Sequence, residues 1–159
     1  MIYRLDLNYT LVSNSAPHGT SPQPMQKRMQ TELYREWLLN LVRPHQVILI
    51  TARPDRWREP TLARIKELTG WEPLDSYFDD GAVRTPPVIK RHLLLNKIFP
   101  KYGRGEYYGI ESNPKTRAVY ATLGIPSVWV NATGKALRDH QHLLKELPAT
   151  LPQTGLDLR

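Results

Sequence analysis

Apolar positions along the chain fall into two rhythms. Short runs at Ile2 to Leu5, Gln46 to Thr51, Leu74 to Phe78, Glu106 to Ile110 and Ser127 to Val130 read as strands. The second run, Gln46-Val-Ile-Leu-Ile-Thr51, is unbroken and rich in β-branched residues, as expected of a central parallel strand covered on both faces. The stretches between them carry helical spacing. Lys27 to Val42 places Leu33, Trp37 and Leu41 on one stripe, with Tyr34 and Leu38 beside it, and Pro44 ends it.

Further helices are expected from Pro60 to Thr69, with Gly70 as the stop, and from Val88 to Phe99, opened by Pro87 and closed by Pro100. Pro114 to Leu123, stopped by Gly124, is another, and Lys135 to Leu147 the last, with Leu137, Leu144 and Leu147 as its apolar side. Ser13 to Gln26 is loop. Strands alternating with helices imply an α/β, doubly wound, mostly parallel sheet. One domain over residues 1–147 and a proline- and glycine-punctuated tail over 148–159 are expected, with no internal repeat and no second domain.

Composition narrows the classes. Lysine plus arginine exceed the acids by 22 − 15 = 7, a balance that suits phosphate-rich partners or solubility alone. The basic residues are scattered rather than gathered in a tail, which weakens the nucleic-acid case. The sequence has no cysteine, which excludes disulfides and thiolate metal sites. No apolar run approaches a bilayer span and no signal segment opens the chain, so a cytoplasmic protein without a membrane partner is expected.

The chemistry gathers where strands end. Asp6 closes the first strand, where an open α/β sheet places its site, and Asn8 and Thr10 follow at alternate positions. Thr51 closes the second strand, Lys90 starts the helix before the fourth, and Glu111 follows the fourth. Lys97, two helical turns beyond Lys90, is the alternative lysine. Arg53, Arg56 and Arg58 follow Thr51 and read either as a phosphate-facing rim or as a solvated helix start. Trp57 and Trp71 are candidates for base stacking, with core packing the better reading of Trp71. His18 is placed to overhang the site from its loop. Asp139-His-Gln-His142 reads as a solvated helix face, Asp79-Asp80 as a turn with Gly81, and Leu151-Pro-Gln-Thr-Gly155 as a chance match to a sorting motif.

Asp6-Leu-Asn-Tyr-Thr-Leu11 resembles the first signature of the haloacid-dehalogenase-like (HAD) phosphohydrolases, Asp-x-Asp-x-Thr/Val-Leu/Val, with asparagine for the second aspartate. Thr51, Lys90 and Glu111 resemble the second, third and fourth signatures, with Ser112 in place of the usual second acid of the fourth. Within that superfamily the layout is similar to the capless phosphatase domain of phage polynucleotide kinases. A short loop follows the first signature, Thr51-Ala-Arg53 turns after the second strand, and Val88-Ile-Lys90 starts a helix.

The resemblance implies a Rossmannoid sheet of order 3-2-1-4-5 without a cap domain. It implies Asp6 as nucleophile, Asn8 at the acid–base position, Thr51 and Lys90 as catalytic partners, and Arg53 and Thr10 on the substrate side. Mg²⁺ would be held by Asp6, the Asn8 carbonyl and Glu111. The phosphorylated substrate implied is a nucleic-acid end or nucleotide, since an uncapped site suits a large substrate that covers the site itself. The alternative is a degenerate HAD-fold domain serving as a binding or structural module, because Asn8 cannot give up and recover a proton.

Overall fold

Val47 and Leu49 point to one side of the central strand while Ile48 and Ile50 point to the other, and all four are fully covered. This is the double burial expected of a strand sandwiched between helical layers. The computed structural model describes residues 2–15, 24–81, 85–133, 137–140 and 142. Its sheet has five parallel strands in the order β3-β2-β1-β4-β5. They are β1 (Ile2–Asp6), β2 (Gln46–Pro54), β3 (Asp75–Asp79), β4 (Tyr107–Glu111) and β5 (Ser127–Trp129). The expected architecture and order hold.

The connections are α1 (Met25–Thr31), α2 (Glu36–Val42), α3 (Arg58–Thr69), α4 (Pro86–Leu93), α5 (Phe99–Tyr102) and α6 (Pro114–Thr122). Leu38, Leu39 and Val42 of α2 and Ile65 of α3 cover one face of the sheet. Ile89 and Leu93 of α4, Phe99 of α5 and Tyr120 of α6 cover the other. Gly70 and Gly124 stop their helices at φ 73° and 76°, the left-handed conformation that glycine adopts at no steric cost.

Three expectations are corrected. The helix from Lys27 to Val42 is two helices. Residues 32–35 between them are extended, and Tyr34 bridges to Val12 in antiparallel fashion. Leu33, expected on the apolar stripe, is 56% exposed. The second strand does not break at Thr51; it runs to Pro54 with a register shift against β3 between Ile50 and Pro54. The third helical segment does not end at Pro100. A π-helical turn at Leu94–Ile98 rephases the backbone, so Pro100 falls in the first turn of α5, where no N–H is needed. The segment stops instead at Gly103, φ 77°. The chain after Asp6 is a tight irregular loop.

Some expectations lie outside the described residues: His18, most of the loop around it, the tail over 148–159, and all of the last helix except residues 137–140 and 142. Of these, Leu137–His140 forms a 3-10 turn. No helix among the described residues is long and apolar enough to cross a membrane.

Candidate active site

β1 delivers Asp6 to the carboxyl edge of the sheet, next to the position where Leu5 pairs with Ile110 of β4. Thr10 folds back and its hydroxyl donates to Asp6 Oδ2 at 2.7 Å. The intervening loop needs Tyr9 at φ 63°, a left-handed conformation that costs a non-glycine residue about 1–2 kcal/mol. Arg35 offsets that strain. Fully covered in the break between α1 and α2, it donates to the carbonyls of Tyr9 at 2.8 Å and Thr10 at 2.5 Å. Its other terminal nitrogen reaches the carbonyls of Asn131 and Ala132, at 3.3 and 3.0 Å. One rigid five-donor fork therefore ties the loop after β1 to the chain after β5.

Lys90 lies in the second turn of α4, whose start is set by Pro86 and Pro87 at its first two positions. Its Nζ is 2.5 Å from Asp6 Oδ1 and 2.5 Å from Glu111 Oε1. Lys97, the other candidate, is half exposed and pairs with Asp80 at 3.3 Å. Glu111 is completely buried, and its Oε2 accepts from the backbone N–H groups of Ser112 at 2.9 Å and Asn113 at 3.0 Å.

Burial alone would lower the Lys90 pKa, but the carboxylates of Asp6 and Glu111 reverse this and hold it above the ordinary lysine value. Burial, and then the Asp6 carboxylate, push the Glu111 carboxyl well up, against the pull of Lys90. With all three groups ionised the charge is −2 + 1 = −1. Two carboxyl groups on adjacent strands offer the oxygen ligands that suit a hard cation. Among the described residues no cluster of three or more His, Cys, Asp or Glu is present, so backbone carbonyls and water would complete such a set.

The remaining expected residues divide. Thr51 is buried one residue beyond Ile50, the partner of Asp6 on β2, and its hydroxyl accepts from the Arg53 N–H at 3.1 Å. Arg53 is not on a rim. It is 3% exposed, clasps Glu32 through both terminal nitrogens at 3.0 and 2.5 Å, and also donates to Thr61 at 3.0 Å. Its Nη2 donates to Asn8 Oδ1 at 2.8 Å. Since a guanidinium only donates, this contact fixes which end of the Asn8 amide faces it. Arg58 bonds Ser76, and Arg56 is exposed beside Trp57, so the three arginines form no common surface. Trp71 packs in the core.

Sequence reading missed Glu32 and Arg35, because it placed them on a continuous helix. Helical periodicity put both on the polar side of that helix and gave no sign of their burial. It also missed the floor of the site. Tyr120 of α6 lies against Gly109 of β4, where a β-carbon would stand 2.7 Å from the ring. Glycine at 109 therefore lets α6 dock close behind Glu111 and Lys90. Behind them Arg4 is wholly buried in β1, with its guanidinium 3.6 Å from the centroid of Tyr107.

No protein-family model matches the sequence, and no curated protein does. Solved structures of similar fold include chains of two Pnkp1/Rnl/Hen1 complexes. A chain of the Pnkp1/Rnl/Hen1 RNA repair complex superposes with a TM-score of 0.62 at 21% identity, over 81% of this chain and 41% of that one. A chain of a second Pnkp1/Rnl/Hen1 complex gives a TM-score of 0.62 at 22% identity, over 81% and 44%. The chain thus spans less than half the length of the chains it resembles.

Proposed function

We propose that the chain is a HAD-like, Mg²⁺-dependent phosphohydrolase that removes phosphate from a nucleic-acid end or nucleotide through an aspartyl-phosphate on Asp6. The observation that carries this reading is the Asp6 carboxylate at the carboxyl edge of β1. Lys90 holds one of its oxygens and Thr10 the other, with the buried Glu111 alongside. In this reading an Asp6 oxygen attacks phosphorus, the bond to the leaving oxygen breaks, and water later hydrolyses the acyl phosphate. Lys90 balances charge on Asp6 and the transferring group, and Thr51 donates to a phosphoryl oxygen. Mg²⁺, held by Asp6, the Asn8 carbonyl and Glu111, would neutralise developing negative charge. Asn8, its Oδ1 turned to Arg53, offers the incoming group an N–H donor but no transferable proton.

Three further observations support the substrate class. The connections from β1 to β2 and from β3 to β4 carry only short helices among the described residues, which suits a large substrate at an open site. The chain carries a net charge of +7, and its fold is that of a chain in an RNA repair complex. A second reading, a binding module that holds phosphate without turning it over, is favoured by the amide at position 8.

Phosphate release from a terminally phosphorylated single-stranded oligonucleotide, compared with sugar phosphates, separates these readings. The enzyme reading expects faster release from the oligonucleotide, loss with a chelator or with Asp6→Asn, and weakening as salt rises. Binding without release would favour the module. Equal, salt-independent turnover of both substrates would argue against a nucleic-acid end.

A further inference from the structure

The nucleic-acid-end reading leaves open what grips the nucleotide that carries the phosphate. Neither tryptophan singled out in the sequence is well placed: Trp71 is 5% exposed in the core, and Trp57 sits beneath Arg56. A different tryptophan stands in line with the site. Leu5 of β1 pairs with Ile110 of β4, so Asp6 and Glu111 are the next positions on neighbouring strands, and Glu111 pairs with Trp129 of β5. Asp6, Glu111 and Trp129 therefore form one lateral row along the carboxyl edge of the sheet. At about 4.8 Å per strand, the Trp129 backbone lies roughly 10 Å from that of Asp6.

Trp129 is 39% exposed, although an indole is among the side chains with most to gain from burial. It is nevertheless fixed. Its Nε1 donates to the Ser112 carbonyl at 3.2 Å, which leans the ring toward the turn that begins at Glu111. The His142 ring is stacked against it, centroids 6.1 Å apart and 27° between planes, with a ring nitrogen 2.6 Å from the Trp129 carbonyl. Its one polar edge is satisfied and its orientation is set from two sides, yet it stays 39% exposed in the row that holds the two carboxylates.

We propose that Trp129 is a stacking platform for the unpaired base of the terminal nucleotide whose phosphate is handled at Asp6. The proposal rests on the nucleic-acid-end reading above. Stacking takes any base, because every base has a π-face, so the site would select for the presence of a base and not for its identity. Duplex ends would be poorer ligands, since their terminal base is already stacked.

The test measures the affinity of the full chain for a terminally phosphorylated single-stranded oligonucleotide, and for the same strand with an abasic terminal residue. Trp129→Ala is expected to weaken binding of the first by about 5- to 150-fold, the range for losing one stacked base, and to leave the abasic strand unchanged. Trp129→Phe should retain most of the affinity, which separates stacking from the bond to Ser112. The oligonucleotide should quench wild-type tryptophan fluorescence, and the Phe variant should lose most of that quenching. Equal losses on both strands, or none on either, would overturn the platform while leaving the end-processing reading intact. Failure of wild-type protein to bind either strand would overturn both.

Discussion

Two carboxylates at opposite ends of the sheet are pushed in opposite directions. Glu111, at the carboxyl end of β4, is held well above the ordinary carboxylate range by burial and by Asp6. Asp75, at the amino end of β3, is driven to about 2. Burial would raise Asp75 too, but hydrogen bonds from the Tyr102 hydroxyl, Lys101, the Ser76 N–H and the Tyr77 hydroxyl outweigh it. The Asp75 cluster is all donors around one anion. The Asp6–Glu111 cluster sets two carboxyl groups against one buried lysine. The first arrangement holds a strand start to α5. The second crowds two carboxyl groups onto one lysine at the carboxyl edge of the sheet.

The largest effect should come from removing the shared cation. Lys90→Met leaves two carboxylates buried without a counter-charge and should cost about 3–5 kcal/mol in denaturant unfolding. Lys101→Met, at the exposed edge of the other cluster, should leave the unfolding midpoint nearly unchanged. Similar midpoints for the two variants would erase the contrast.

Asn8→Asp sharpens the comparison by adding a third carboxylate. A positioned acid–base group is typically worth ~10²–10⁴-fold. Phosphate release from an alkyl phosphate should rise by about 10²-fold, the low end, because Arg53 beside the new carboxylate lowers its pKa. No gain in a folded variant would favour the binding module.

At the other end, pH is the probe. The folded pKa of Asp75 is depressed from 3.8 to about 2, so its stabilisation is fully present above the unfolded value and is lost as pH falls through about 2. About 1–2 kcal/mol of acid-dependent stability should vanish in Asp75→Asn. An acid-unfolding profile the same as wild type would show that those hydrogen bonds contribute nothing.

An effect of similar size is expected from the metal. Mg²⁺ at ~10 times its Kd should add about 1.4 kcal/mol, seen as a rise in melting temperature, and Asp6→Asn or Glu111→Ala should each remove most of it. A rise that survives in both variants would place the ion elsewhere.

The framework was legible where local pattern and burial agree. Val47 to Ile50 is apolar on both parities, and only a strand covered on both faces uses that. Asp6, Lys90 and Glu111 could be named because each stands at the end of a strand or the start of a helix. The extended residues 32–35 were not legible. Their conformation is set by Arg35 N–H bonding the Leu11 carbonyl, Ser13 N–H bonding that of Leu33, and Glu32 meeting Arg53, partners 20 or more residues away in sequence. The same contact explains why Arg53 looked like a surface arginine: its burial depends on a glutamate that helical periodicity had turned elsewhere. Pro100 misled for a different reason, since only the π-helical turn upstream makes its missing N–H harmless.

The central claim is that Asp6 takes the phosphoryl group, and a single trapping measurement reaches it directly. Wild-type protein would be mixed with Mg²⁺ and a terminally phosphorylated oligonucleotide, quenched in acid, and its peptides analysed by mass. The account predicts one phosphoryl group on the peptide containing Asp6, accumulating because Asn8 supplies no base for its hydrolysis, and none in Asp6→Asn. An unmodified Asp6 peptide during active turnover, or the same modification surviving in Asp6→Asn, would contradict it.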